Sequence, residues 1–288
     1  MKLIHSVDEL RREVSAAKAD GLTIGLVPTM GALHEGHGSL IKQAHAENDL
    51  VIVSVFVNPT QFAPGEDLEA YPRTLRKDCA LGEKLGADII FAPSAEEMYP
   101  SKENTWVEVT GQVTEVLCGR SRPVHFRGVT TVVAKLFNLT APDRAYFGQK
   151  DAQQVEVIRR MIKDLFFNIN LRVMPIVRES DGLAKSSRNT YLSVEERQAA
   201  PVLRKSLLLA ADMYAQGERN KQKLIAAVTQ EIESEPLSEI DYVEVYALPE
   251  LREAGTELQR KNLLAVAVRF GTTRLIDNIV LEENKDAL

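Results

Sequence analysis

Cysteine is scarce in these 288 residues: only Cys79 and Cys118 are present. Neither sits in a C-x-x-C pair or beside histidines at metal-ligand spacing, which argues against a disulfide framework and a cysteine-ligated metal. Both are expected as reduced thiols, Cys79 on a helix face. Long apolar runs are also missing. The longest, Leu50 to Val57 with Ser54 inside it, is of strand length and far short of the ~20 residues a membrane helix requires. Met1 to Arg12 alternates charged and apolar residues and lacks the apolar stretch of a signal peptide, so a cytoplasmic protein is expected. Nor is there an excess of basic charge: 35 Lys and Arg against 41 Asp and Glu give a net charge of −6. Such a chain has no field to draw in polyanions or an anionic membrane, so neither nucleic acid nor a membrane is expected as a partner. Internal repeats and low-complexity tracts are absent, and disorder is expected only in the last residues.

What is present is an ordinary globular composition, 44% hydrophobic and 26% charged, over a length that suits one large and one small domain. Through the first 175 or so residues, short β-branched runs alternate with amphipathic stretches. The runs are Thr23 to Val27, Leu50 to Val57, Ile89 to Ala92, Ala145 to Gly148 and Ile169 to Met174. They are apolar nearly throughout, as strands covered on both faces should be. Helices are expected over Gly36 to Glu47, Thr130 to Leu139 and Asp151 to Phe166, where apolar residues recur at about 3.6. The pattern predicts an α/β fold, a doubly wound parallel sheet in residues 1–175. After Pro175 a capping box at Ser193-Val194-Glu195-Glu196 predicts a long helix ending near Gly217, then a helix over Lys221 to Ser234. Three strands follow, at Ile240 to Ala247, Leu263 to Phe270 and Arg274 to Leu281, so residues 176–288 are expected to form a smaller α+β domain with an antiparallel sheet.

The segment after the first strand, Met30-Gly31-Ala32-Leu33-His34-Glu35-Gly36-His37-Gly38, carries the strongest chemical signal. Its glycines let the backbone approach a ligand closely, and the helix N-terminus behind it presents free N–H groups and a positive dipole end. His34 and His37 flank Gly36 and can both donate to phosphate oxygens from one side. Three other readings are weaker. A dinucleotide site needs G-x-G-x-x-G, which is absent; a catalytic zinc needs a third ligand; and a turn without a ligand leaves the clustering of glycines and histidines at the mouth of a parallel sheet unexplained.

The H-x-G-H turn resembles that of the nucleotidyltransferase superfamily, whose domain is Rossmann-like. Four further segments narrow the resemblance: Phe56 to Phe62, Arg122 to Val129, Phe147 to Gln154 and Asp181 to Asn189, with Arg274 to Asn278 matching near the end. Together with Pro28 to Gly31 they resemble the pantoate–β-alanine ligase family. The resemblance implies an enzyme that ligates (R)-pantoate and β-alanine to pantothenate through a pantoyl adenylate, consuming ATP and releasing AMP and pyrophosphate. It further implies Mg²⁺ and a homodimer. ATP would lie on Met30, Gly31, Ala32, Leu33, His34, Glu35, Gly36, His37, Gly148, Gln149, Lys150, Asp151, Val177, Lys185, Ser186, Ser187 and Arg188. Within that set His34, His37, Lys150 and Arg188 would be catalytic, His37 as proton donor, and Lys185 to Arg188 would close from the second domain. Gln61, Gln154 and Asn58 would contact pantoate, since a neutral amide recognises hydroxyl and carboxylate oxygens without damping the nucleophile. No metal ligand is selected; Asp78 and Asp151 are the candidates. Arg122 and His125 would sit in a segment that closes over the site. Three positions depart from the family pattern: Lys185 where Met or Leu is common, Val124 where Gly is usual, and Gln149 where an acidic residue is frequent. The alternatives are another nucleotidyltransferase, such as a cofactor adenylyltransferase, and a catalytically silent nucleotide-binding regulator. Intact His37, Lys150 and Arg188 weigh against the silent form.

Overall fold

A computed structural model describes residues 1–101, 103–258 and 261–283; the last residues, 284–288, where disorder is expected, lie outside the described residues. Six strands, β1 (Lys2–Ile4), β2 (Ile24–Thr29), β3 (Leu50–Val55), β4 (Ile89–Phe91), β5 (Arg144–Gly148) and β6 (Asn170–Met174), form one sheet in the order β1-β4-β3-β2-β5-β6. Every pairing in it is parallel. Val51, Ile52 and Val53 of β3 and Ile24, Leu26 and Val27 of β2 have no exposed surface, because helices cover both faces of such a sheet. These are α1 (Val7–Ala19), α2 (Glu35–Glu47), α3 (Leu75–Lys84), the single turns α4 (Ala95–Met98), α5 (Gln112–Glu115) and α6 (Cys118–Ser121), then α7 (His125–Thr140) and α8 (Ala152–Asp164). From β2 the chain winds outward through β3 and β4, and from β5 it winds the other way to β6. The crevice where the winding reverses, between the carboxyl ends of β2 and β5, is where ligands collect in such sheets.

Strand β1 is an addition to the sequence reading. It has three residues at a sheet edge and only Ile4 is buried, so it shows no apolar run. Helix α7 begins at His125 rather than Thr130, with Val124 as its cap residue; the Arg122 to Gly128 segment is therefore anchored helix for half its length. Cys79 lies on α3 against the cluster around Leu40 and Val53, and both cysteines are free thiols.

After β6 the architecture changes. Helices α9 (Val194–Ala199), α10 (Val202–Ala215) and α11 (Lys221–Glu233) pack on an antiparallel sheet of β7 (Ser238–Ala247), β8 (Arg252–Glu253), β9 (Lys261–Phe270) and β10 (Thr273–Glu282), ordered β10-β9-β7-β8. Ser193 caps α9 as its sequence demands: Glu196 N–H donates to Ser193 Oγ at 3.2 Å and Ser193 N–H to Glu196 Oε2 at 2.8 Å. The single helix expected from there to Gly217 is two helices. It breaks at Pro201, which has no N–H to continue the ladder and whose ring crowds the preceding turn.

The two sheets share a core. Val113, Leu117, Phe126 and Val157 from the first pack with Tyr242, Leu251, Leu263 and Ala267 from the second. A polar clasp reinforces it: Asn278 of β10 donates from Nδ2 to the carbonyls of Gln149 (3.0 Å) and Lys150 (2.9 Å) and accepts from Gln149 Nε2 at 3.1 Å. Among the described residues no helix is long and apolar enough to cross a membrane.

Candidate active site

The turn after β2 is built on a buried carboxylate. Gly31 (φ +83°) and Ala32 (φ +51°) reverse the chain through left-handed conformations. Asp78 of α3, 1% exposed, accepts from Ala32 N–H at 3.1 Å, from Leu33 N–H at 2.8 Å and from the Thr74 hydroxyl at 3.1 Å. Both oxygens of Asp78, a candidate metal partner by sequence, thus face the turn's backbone. The N–H groups of Ala32 and Leu33 are committed to it, and what the turn offers a ligand lies further on, at the histidines.

His34 is the N-cap of α2, and its Nδ1 accepts from Gly36 N–H at 3.1 Å. His37 reciprocates, its Nδ1 accepting from His34 N–H at 3.3 Å. A neutral imidazole with Nδ1 as acceptor carries its proton on Nε2, so each histidine caps the helix with one nitrogen and keeps an N–H donor on the other. Burial, then the nearby positive charge of Lys150, lowers His34 to about 4; burial, then His34, lowers His37 to about 3. Both rings are neutral donors at pH 7, their centroids 4.2 Å apart and their planes tilted by 36°. Gly36 is required between them, because a Cβ there would stand 2.8 Å from Cε1 of the His34 ring.

Opposite, at the end of β5, Lys150 points into the same cleft, its Nζ 3.7 Å from Asp151 Oδ1. From the segment after β6, Lys185, Ser186, Ser187 and Arg188 line the far wall, with Val177 beside them. The side chain of Gln149 does not join them. It turns away to Asn278, which accounts for an amide where an acid is frequent. Glu35 is also directed outward, 72% exposed, and its carboxylate pairs with Lys185, which holds Glu179 at 2.9 Å as well. Lys185 therefore ties the segment after β6 to the start of α2.

Residues 63–73 form a strap beside the cleft, reaching it through Tyr71, and its carboxylates occupy two of the arginines. Asp67 takes Arg188 in a bidentate pair (2.9 and 2.9 Å), and Glu66 takes Arg122 at 2.5 and 2.8 Å. Arg122 also donates to His125 Nε2 at 3.3 Å; the His125 Nδ1–H donates to the Gln61 carbonyl at 3.0 Å, and burial, then Arg122, lowers this imidazole to about 4. Sequence reasoning missed Glu66, Asp67 and the structural use of Asp78, whose partners lie 45 to 121 residues away.

Gln61 and Gln154 face the cleft beside Met30 and Phe56. Asn58, 1% exposed, is spent mostly on protein: its Nδ2 donates to Gln61 Oε1 and to the Gly128 carbonyl, both at 3.1 Å. The cleft, counted with the space open to solvent at its mouth, spans about 1420 Å³. Of the expected ATP set, Met30, His34, Gly36, His37, Gly148, Lys150, Asp151, Val177 and Lys185 to Arg188 line it, whereas Gly31, Ala32, Leu33, Glu35 and Gln149 do not. Among the described residues no group of three or more His, Cys, Asp or Glu side chains could hold a metal by itself.

The family model for pantoate–β-alanine ligase matches residues 2–280. A pantothenate synthetase of Acetivibrio thermocellus is 52% identical over 282 residues, 98% of this chain and 100% of that protein. The crystal structure of pantothenate synthetase from Thermus thermophilus superposes with a TM-score of 0.93 at 44% identity, covering 98% of this chain and 100% of that one. A pantoate–β-alanine ligase from Francisella tularensis, crystallised with β-γ ATP and β-alanine, superposes with a TM-score of 0.80 at 34% identity over 99% of both chains. With a parallel sheet, an antiparallel second sheet and the H-x-G-H cleft between them, the chain belongs to the pantoate–β-alanine ligase family.

Proposed function

We propose that the chain ligates (R)-pantoate and β-alanine in two steps. The pantoate carboxylate attacks the α-phosphorus of ATP and displaces pyrophosphate; the β-alanine amine then attacks the acyl carbon of the adenylate and displaces AMP. The observation that carries this reading is the convergence, in one cleft at the switch point of the sheet, of fixed donors on one side and neutral amides on the other. In the first step negative charge builds on the α-phosphate and the departing pyrophosphate. Catalysis is then chiefly a matter of donors already aimed at those oxygens. The Nε2–H groups of His34 and His37, the Lys150 ammonium and the Ser186 and Ser187 hydroxyls supply them, and the Arg188 guanidinium joins them once Asp67 releases it.

Two neutral imidazoles suit this task. Pyrophosphate leaves as a stable anion, so the step needs hydrogen-bond donation and no acid of pKa near 7. His37, neutral at pH 7 in the ligand-free cleft, serves in this reading as a hydrogen-bond donor. Gln61 and Gln154 hold pantoate without pairing its carboxylate with a cation that would blunt its attack. Mg²⁺ keeps most of its waters and binds through one or two carboxylates and phosphate oxygens; the Asp151 side chain, 51% exposed beside Lys150, is the carboxylate that fits, and the ion would neutralise charge on the triphosphate. Homodimerisation and a cytoplasmic location belong to the same reading, and light scattering checks the former.

The test is turnover. AMP and pyrophosphate should appear only with both pantoate and β-alanine under multiple-turnover conditions, and enzyme-bound pantoyl adenylate should accumulate when β-alanine is left out. No AMP with the complete mixture would refute the assignment.

A further inference from the structure

The amide of Gln61 can face the cleft in two ways, and the structure contains a device that selects one. Gly128 in α7 presents its carbonyl to Asn58, and a carbonyl can only accept, so the Asn58 Nδ2 must be turned toward it (3.1 Å). The same Nδ2 then donates to Gln61 Oε1 at 3.1 Å. That leaves the Gln61 Nε2 directed away from Asn58, at 3.0 Å from Met30 Sδ, a weak acceptor, and on the cleft. The remaining Asn58 atom, Oδ1, accepts two hydroxyls: Tyr99 at 2.9 Å and Thr60 at 2.9 Å. All of this depends on α7 touching the 59–61 turn closely. A Cβ on Gly128 would lie 2.4 Å from the Thr60 carbonyl oxygen and 2.6 Å from the Gln61 Cα.

From this geometry we infer that Tyr99 is a positioning residue for the pantoate subsite, reinforcing through Asn58, together with Thr60 and the Gly128 carbonyl, the orientation in which Gln61 presents its N–H₂ to the substrate. Tyr99 is not among the residues lining the cleft. It is the cap residue after α4, and besides the hydroxyl's contacts with Asn58 and with Thr60 (3.2 Å) its ring has packing of its own. Phe56 lies 6.4 Å away ring to ring, and the Lys135 ammonium stands 4.1 Å over its face while donating to the Met98 carbonyl at 2.5 Å. The hydroxyl is thus free to act as a donor to Asn58 and can be removed without unseating the ring. The inference rests on Gln61 holding pantoate.

The experiment is a double-mutant cycle on steady-state kinetics with Tyr99→Phe, Gln61→Ala and the pair. Removing one neutral hydrogen bond from the relay should raise KM for pantoate about 3- to 10-fold, the scale of such a bond. KM for ATP should stay within about 2-fold, because the relay meets the expected nucleotide set only at Met30, through a weak sulfur contact. Gln61→Ala should raise pantoate KM further, and adding Tyr99→Phe to it should change nothing. Additive effects in the double variant, or equal rises in both KM values, would show that Tyr99 acts on the fold at large and would overturn the inference. An unchanged pantoate KM in Gln61→Ala would instead overturn the placement of pantoate, and the inference with it.

Discussion

Holding three imidazoles neutral makes the stability of this protein fall as the solution is acidified, in a window where little else titrates. His34 and His125 are lowered to about 4 and His37 to about 3, against about 6.5 in an unfolded chain. As pH drops below 6.5 the unfolded chain binds protons that the folded one refuses, so stability is intact above 6.5 and is lost as pH descends toward the folded values. Between pH 7.0 and 5.5 each imidazole costs roughly 1.2 kcal/mol, so about 3 to 4 kcal/mol for the three. Carboxylates contribute little there, because even in the unfolded chain they titrate near 4. Urea denaturation followed by circular dichroism at the two pH values measures the difference. Repeating it with a saturating non-hydrolysable ATP analogue adds a second arm. Phosphate oxygens facing the Nε2–H groups favour protonation of His34 and His37, so the bound form should lose less stability on acidification. A flat stability from pH 7.0 to 5.5, or imidazole resonances of these residues titrating near 6.5, would refute the reasoning.

Other outcomes follow from the donors and from the strap. Lys150→Ala or His34→Ala should slow pantoyl-adenylate formation about 10²- to 10³-fold in single-turnover assays, the cost of one donor in a preorganised site; near-native rates in both would remove them from the catalytic set. Asp67→Asn should free Arg188 from its bidentate partner and tighten binding of an ATP analogue about 3- to 10-fold by calorimetry, as expected for about 1 kcal/mol of competing ion pair. Weaker binding would mean that Asp67 holds Arg188 in a useful pose rather than occupying it.

The parts of this structure legible in sequence are those whose cause is local. The H-x-G-H turn announces itself because the cap, the glycine and the second imidazole are within four residues, and Ser193 does so because its partner is Glu196. The parallel sheet reads as apolar runs because both its faces are covered. Strand β1 has one buried residue and so leaves no such trace. The break at Pro201 was visible in principle, but the apolar period on either side of it reads as continuous. Asp78 and Asp67 could not be assigned, since a carboxylate's partner 46 or 121 residues away leaves no mark in its own neighbourhood. For the same reason Gln149 reads as a nucleotide contact until Asn278 is seen to claim its side chain.

The Asn278 clasp bears on how a nucleotide gets in and out. The floor of the cleft cannot part like two jaws, because drawing β10 from β5 would strip partners from a buried amide and wet the apolar layer shared by Phe126, Tyr242 and Leu263. The strap is tied by two ion pairs within reach of solvent, by the buried Tyr71 ring against Phe62, and by hydroxyl contacts of Tyr71 with Ser187 and of Tyr191 with the Ala70 carbonyl. A nucleotide passing on the strap side would have to loosen two ionic fastenings, whereas the foundations beneath are held by the clasp and the shared apolar layer. Raising the salt should ease passage on that side, since screening weakens both pairs.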